Sequence, residues 1–212
     1  MQRRGEVCNV MEGGSDILIG TDGGLKDNIG TSGVILQMAD DTTSNVTAMT
    51  AESCSMGTLH STREELRGIM AAEEIISKCG ELWGSDITRS ITFICDSKSA
   101  LFEVDKPIEM FAKRDALGPE MDILMTIDTL KQKNENITRL YQWEKSHQDE
   151  DAPQTDSRRI NEIADNLATE CRKYVSEGLI TADVKKYMPF AKVMVSVNGS
   201  RITKTLNVKY IK

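Results

Sequence analysis

The sequence predicts an α/β chain: a five-stranded mixed sheet, three antiparallel strands and then parallel ones, flanked by helices and followed by a C-terminal β-hairpin. Three observations predict it. Apolar stretches within residues 16–56 are joined by connections of only a few residues, which suits an antiparallel meander. From residue 61 onward helical and strand periodicities alternate, the order that lays helices over a sheet. Asn198-Gly199 lies between two further strand-like runs and is the strongest short-range hairpin signal in the chain. The expected organisation is a lead-in over residues 1–14, a domain over 15–175 and an extension over 176–212.

Each element has its own signal. Residues 1–14 are polar, contain glycine and lack periodicity, so they read as a flexible lead-in. Residues 16–21, Asp-Ile-Leu-Ile-Gly-Thr, form a buried strand that Asp22-Gly23-Gly24 is expected to break. A second strand covers 32–38, and after a turn at Asp40-Asp41 a third covers 45–56. Ser61-Thr62-Arg63-Glu64 has the form of a capping box, a hydroxyl residue with a Glu three places later. The helix it opens carries Leu66, Ile69, Met70 and Ile76 on one face, and its end is expected near Cys79-Gly80. Residues 90–95, Ser-Ile-Thr-Phe-Ile-Cys, form a strand that stops at Asp96, and a short helix spans 97–104. A third helix over 120–133 presents Met121, Leu124, Met125, Ile127 and Leu130. Residues 137–143 form a strand in which Tyr141 and Trp143 read as core, and the polar, acidic stretch 144–159 reads as a mobile loop. The last strong helix places Ile160, Ile163, Ala164, Leu167, Ala168 and Cys171 on one stripe. Residues 192–197 and 201–208 are the arms of the hairpin.

Composition bounds the function. At 212 residues, 39% apolar and 28% charged, the chain has the balance of a globular protein and is neither wholly disordered nor collagen-like. Its apolar runs fall far short of the ~18 residues that span a bilayer. Residues 1–10 carry Arg3 and Arg4 without an apolar signal core, so the expected location is intracellular, cytoplasm or nucleus, with no membrane partner. Cys8, Cys54, Cys79, Cys95 and Cys171 are scattered and odd in number, which points to reduced, mostly buried thiols and not to a disulfide framework or zinc site. The net charge of −7 argues against a broad basic surface that grips nucleic acid by its phosphates.

The acids at the ends of these elements stand out. Asp22 follows the first strand, Asp96 follows the fourth, Glu65 lies in the first turn of the long helix, and Asp165 borders the apolar stripe of the last helix. If the first and fourth strands are parallel neighbours, Asp22 and Asp96 project from the sheet edge at which open α/β sheets place their sites. Several carboxylates in one small volume raise one another's pKa values unless a cation compensates them. An oxygen-only set of this kind selects Mg²⁺ or Mn²⁺.

Taken together, five segments resemble the ribonuclease H family: Thr21-Asp22-Gly23-Gly24, Arg63-Glu64-Glu65-Leu66, Cys95-Asp96-Ser97, Trp143-Glu144-Lys145-Ser146-His147, and Asn161-Glu162-Ile163-Ala164-Asp165. They occur in the family's order over residues 16 to about 175. The resemblance implies a ribonuclease H-like fold and an endoribonuclease that hydrolyses the RNA strand of RNA/DNA hybrids with two Mg²⁺ ions, or Mn²⁺. It assigns the metal-binding acids to Asp22, Glu65, Asp96 and Asp165, with Glu65 preferred over Glu64 because it stands immediately before Leu66. His147 matches the family's loop histidine, although Glu144 and Ser146 depart from the residues usual beside it. Substrate contacts would fall at Gly23, Gly24, Thr62, Arg63, Ser97 and Asn161. Lys131, Lys133 and Arg139 are further candidates for phosphate contact.

The extension suggests the terminal segment of a retroelement polyprotein, with a reverse transcriptase domain as partner, and no stable homo-oligomer is implied. Two alternatives stay open: an inactive module of the same fold that binds nucleic acid or scaffolds, and another nuclease or strand transferase of that fold. Taken singly, Asp22 before two glycines is also a good turn residue, and Asp96-Ser97 is also a helix N-cap.

Overall fold

The alternation of apolar residues that marks the first strand continues into a longer ribbon than the sequence suggests. The computed structural model describes residues 16–53, 60–83, 90–106, 120–146, 153–184, 195–197 and 200–202. Strands β1 (Ile17–Lys26), β2 (Ile29–Met38) and β3 (Asp41–Ser53) form the antiparallel meander. Asp22-Gly23-Gly24 does not end β1: these residues pair with Gly33, Ser32 and Thr31, and pairing continues to Lys26 opposite Ile29. The reversal comes at Asp27-Asn28, both at positive φ (53° and 59°). A two-residue turn with both centres left-handed matches the twist of the paired strands, and Asp and Asn tolerate that conformation best after glycine. Partner pairing thus overrides the weak strand propensity of two glycines.

β4 (Ser90–Cys95) lies parallel to β1, and β5 (Thr138–Trp143) lies parallel to β4. A sixth strand, β6 (Asp183–Val184), pairs parallel with β3 and gives the order β5-β4-β1-β2-β3-β6. The expected sheet therefore gains one strand, drawn from the segment assigned to the extension. Two residues of ordinary polarity give no periodicity by which to find such a strand.

Four helices are described. α1 (Ser61–Trp83) runs past Gly80, where an end was expected, and α2 (Lys98–Asp105) is capped by Ser97, whose side chain accepts from the Ala100 N–H. α3 (Met121–Lys133) and α4 (Asp156–Ser176) follow. α4 begins within the stretch expected to be loop, because Thr155 caps it through a hydrogen bond from the Arg158 N–H.

Side-chain alternation along the strands divides the apolar residues between two faces. Ile17, Ile19, Val34, Leu36, Ile91 and Phe93 pack with Leu66, Ile69 and Ile76 of α1 and with residues of α2 and α3. Ile35 and Ile94 pack with Ile160 and Ala164 of α4. The sheet is thus sandwiched, with α4 on one side and the other helices on the opposite side. Each fully buried Ile or Phe contributes roughly 1.5–3 kcal/mol to holding these layers. β7 (Val195–Val197) and β8 (Ser200–Ile202) pair antiparallel, with Val197 opposite Ser200, as expected of the hairpin arms. Residues 1–15, 54–56, 147–152, 192–194, 198–199 and 203–208 lie outside the described residues, so the lead-in, the end of the third strand, His147, the hairpin turn and the outer parts of both arms are not described.

Candidate active site

The register between β1 and β4 decides the geometry. Gly20 is paired with Ile94, and β4 ends at Cys95. Asp22 therefore stands where β1 continues along β2 but has outrun its parallel neighbour, beside Asp96. Glu65 arrives from one face of the sheet in the first turns of α1, and Asp165 arrives from the other on α4.

Close approach of both helices depends on glycine. A Cβ at Gly23 would collide with the backbone of Glu64 and Glu65, so α1 rests directly on β1 there. A Cβ at Gly33 would collide with the backbone of Ala164 and Ala168, so α4 rests directly on β2 at the turn that carries Asp165. One turn separates Asp165 from Asn161, which is 4% exposed and whose Oδ1 has no hydrogen-bond partner.

The four acids meet. Burial, then the charges of Asp96 and Asp165 and a hydrogen bond with Asp165, push the Asp22 carboxyl up to about 7. Burial, then the charges of Asp22 and Asp96, push Glu65 up to about 9, opposed by hydrogen bonds from the Cys95 thiol and the Gly23 N–H. The Cys95 thiol donates to Glu65 Oε2 at 3.6 Å. Metal-ligating atoms of Glu65, Cys95 and Asp96 all lie within 4.8 Å of one another. Two neighbouring carboxyls that hold protons near neutral pH mark a site short of positive charge.

Other candidates fare differently. Arg63 is buried, and its guanidinium is shared between Glu52 (Nε to Oε2, 2.9 Å) and Asp122 (Nη1 to Oδ1, 2.9 Å; Nη2 to Oδ2, 2.8 Å). It ties β3, α1 and α3 together. Gly24 is covered by the Arg172 guanidinium, which also reaches Thr31 Oγ1 at 3.5 Å. Ser97 is occupied as an N-cap, and Thr62 stands partly exposed beside Arg63. Glu64 does not fold back as a capping residue: its carboxylate lies against Gly30, 3.7 Å from Arg67 Nε. Arg139 pairs with buried Glu73 at 2.6 Å, and Lys131 donates to the Val104 carbonyl, which removes both from an outward phosphate-binding role.

Two site residues escaped the sequence reading. Cys95 read as a generic buried thiol, although its place directly before Asp96 was the available signal. Trp143, read as core, is 43% exposed. Its indole N–H donates to the Asp96 carbonyl at 2.9 Å, and Lys98 Nζ sits 3.8 Å from its ring centroid. The Glu144 N–H donates to the Cys95 carbonyl, so the end of β5 fixes the corner that carries Asp96.

The fold matches solved structures. The N-terminal ribonuclease H domain of a Mycobacterium tuberculosis protein aligns over 78% of this chain and 99% of its own, at 17% identity and a TM-score of 0.53. The chain has the ribonuclease H fold. Prototype foamy virus protease-reverse transcriptase carries the same fold, matching 73% of this chain and 20% of its own at 17% identity and a TM-score of 0.55. A foamy viral protease-reverse transcriptase in complex with an RNA/DNA hybrid matches 76% of this chain and 20% of its own, at 10% identity and a TM-score of 0.50. No family model and no curated protein matches the sequence. Among the described residues no helix is long and apolar enough to cross a membrane.

Proposed function

We propose that this ribonuclease H fold is a divalent-metal-dependent endoribonuclease that hydrolyses the RNA strand of RNA/DNA hybrids. One observation carries the reading: Asp22 on β1, Asp96 just beyond β4, Glu65 on α1 and Asp165 on α4 converge where β1 outruns β4.

The donor set fits a pair of hard cations. Four carboxylates in one place supply oxygen ligands only, and the protons held by Asp22 and Glu65 report the charge that is lacking. Asp22, Glu65, Asp96 and Asp165 would hold two Mg²⁺ or Mn²⁺ ions, which supply positive charge to the attacking and leaving oxygens of an in-line phosphoryl displacement. The chain's own residues do the positioning. The Gly23 N–H hydrogen-bonds the Asp22 and Glu65 carboxylates and orients both. Trp143 and Glu144 hold the backbone at Cys95-Asp96, so the Asp96 carboxylate does not need to be ordered when substrate arrives. Asn161 has its buried Oδ1 free of a protein partner, and we assign it a contact with a hydroxyl of the RNA strand. His147 remains the proposed loop histidine and Thr62 and Ser97 remain proposed substrate contacts, whereas Gly23 lies under α1 and Gly24 under the Arg172 guanidinium. Arg63 is left out of substrate contact because its guanidinium is already satisfied.

The foamy virus neighbours support a place in a reverse-transcription machinery, with a reverse transcriptase domain as partner. The test is cleavage of a labelled RNA/DNA hybrid in Mg²⁺, with duplex RNA and duplex DNA alongside. Asp22→Asn or Asp96→Asn should lower hybrid cleavage by about a hundredfold or more, the scale of losing a main electrostatic stabiliser. Full activity in either variant sinks the assignment. Equal digestion of duplex DNA would favour another nuclease of this fold, and hybrid binding without cleavage an inactive module.

A further inference from the structure

The face of β1 that carries Asp22 runs along α4. Side chains alternate on a strand, so Gly20, Asp22 and Gly24 share that face. Residues of α4 meet them in turn: a Cβ at Gly20 would strike Ile160, the Asp22 carboxyl hydrogen-bonds Asp165, and a Cβ at Gly24 would strike the Arg172 guanidinium. Arg172 follows Asp165 by close to two helical turns, which returns it to the same side of α4. A guanidinium therefore lies beside the acid cluster, further along β1 from Asp22.

This guanidinium lacks the partners its counterparts have. Arg63, Arg67, Arg139, Arg158 and Arg159 each face a carboxylate. Among the described residues Arg172 faces none. Its Nε is buried without a hydrogen-bond partner, and its Nη2 reaches Thr31 Oγ1 at 3.5 Å, longer than an ordinary N–H···O bond. The side chain is half-buried and lies on the Gly24 backbone, opposite which Thr31 is paired, so it is seated on the β1–β2 ribbon. A guanidinium offers five donors in a planar fork that fits two oxygens of a phosphate. In a chain of net charge −7 with 33 acidic residues, a cation kept apart from all the described carboxylates is open to an anion from outside.

We propose that Arg172 binds a backbone phosphate of the RNA strand, about two nucleotides from the phosphate that is cleaved. The inference rests on the reading of the acid cluster as the place of hydrolysis, and it adds a residue that lies outside the five segments resembling the family. Two residues of strand span about 6.7 Å, and one nucleic-acid strand rises about 3.4 Å per nucleotide. A strand whose reacting phosphate lies at Asp22 therefore passes Gly24 about two nucleotides on. Gly24 makes the seat, because any side chain there would displace the guanidinium. Such a contact sets the register of the strand over the acids and carries no sequence preference.

The test is fluorescence anisotropy of a labelled RNA/DNA hybrid on the whole chain across a salt series, with Ca²⁺ in place of Mg²⁺ so that binding is followed apart from hydrolysis. Arg172→Gln should weaken binding about tenfold for every hybrid sequence and lower the slope of log affinity against log salt by about 1, the share of one phosphate. Arg172→Lys keeps the charge without the fork, so it should keep the slope and recover part of the affinity. A hybrid with one neutral methylphosphonate in the RNA strand, about two nucleotides from the cleaved bond, should bind wild type and Arg172→Gln alike. Unchanged affinity and slope in Arg172→Gln overturns the proposal, as does a neutral phosphate that costs the wild type nothing. A lowered unfolding midpoint with binding intact leaves Arg172 as a tie between α4 and the ribbon, and overturns it equally. If Arg172→Gln does not fold, Arg172→Met, which keeps the stem over Gly24, is read by the same criteria, and the methylphosphonate tests the wild type without any substitution. Hybrid cleavage in Mg²⁺, measured separately, distinguishes the two readings. Cleavage with affinity indifferent to Arg172 defeats only the contact. Binding that depends on Arg172 in a chain that does not cleave defeats only the nuclease, and a chain that binds no hybrid defeats both.

Discussion

Asp22 and Glu65 pull stability and function in opposite directions. Their pKa values of about 7 and about 9 in the folded chain lie above those of exposed carboxyls, so the metal-free fold prefers them protonated. A raised folded pKa contributes stability that is fully present below the unfolded value, near 4, and is lost as pH rises through the folded one. The melting temperature of the chelator-treated chain should therefore fall as pH rises from 6 to 9, and Mg²⁺ should flatten that fall. Calorimetry with and without the ion checks it, and a flat metal-free profile contradicts it. Asp22→Asn removes one repelling charge. At pH 8 it should stabilise the metal-free chain by on the order of 1–2 kcal/mol, about 3–6 °C for a chain of this size, while losing cleavage. A variant both more stable and inactive identifies the acid cluster as selected for something other than folding.

At the scale of elements, the site depends on how two helices are seated. α4 reaches Asp22 because Gly33 leaves room for the backbone at Ala164 and Ala168. Gly33→Ala should cost about 1–3 kcal/mol through overpacking, and should weaken Mg²⁺ binding by shifting Asp165, which isothermal titration would detect. α1 is held by the Arg63 guanidinium between Glu52 and Asp122. Arg63→Ala leaves two carboxylates without that partner in a largely buried setting and should destabilise by about 3–5 kcal/mol. Denaturant unfolding measures it. If Arg63 instead served the hybrid, the substitution would weaken hybrid binding and leave the unfolding midpoint in place.

Across the whole molecule, the charge of −7 sets the terms of substrate capture. Two divalent ions held as proposed would add +4 locally and neutralise the site, but several candidate cations are turned inward: Arg63 to Glu52 and Asp122, Arg139 to Glu73, Lys131 to the Val104 carbonyl. Few phosphate contacts mean a weak and salt-sensitive affinity. Anisotropy with a labelled hybrid at physiological salt should give a dissociation constant no tighter than about micromolar, the range of non-specific binding. A sub-nanomolar value would contradict this account. Tethering to a reverse transcriptase would compensate through effective concentration, without a new contact.

The sequence by itself determined the layered α/β class, the antiparallel meander, the positions of the principal strands and helices, and the four acids. Each of these rests on local information: apolar period, capping residues, and short motifs whose spacing is carried by a single strand or helix. Its resemblance to the family favoured Glu65 over Glu64 by the place of Leu66, and the fold sets the two side chains apart. Adjacent helical residues point about 100° apart, so Glu64 turns under Gly30 while Glu65 turns to the site. Only the tertiary structure decided that β1 runs through Asp22-Gly23-Gly24, because the pairing that sustains it comes from β2. It alone committed Arg63 to partners 11 and 59 residues away, drew Asp183-Val184 into the sheet, exposed Trp143, and set a thiol against Glu65. These depend on contacts between segments distant in the chain, and no local pattern of residues encodes where such segments meet.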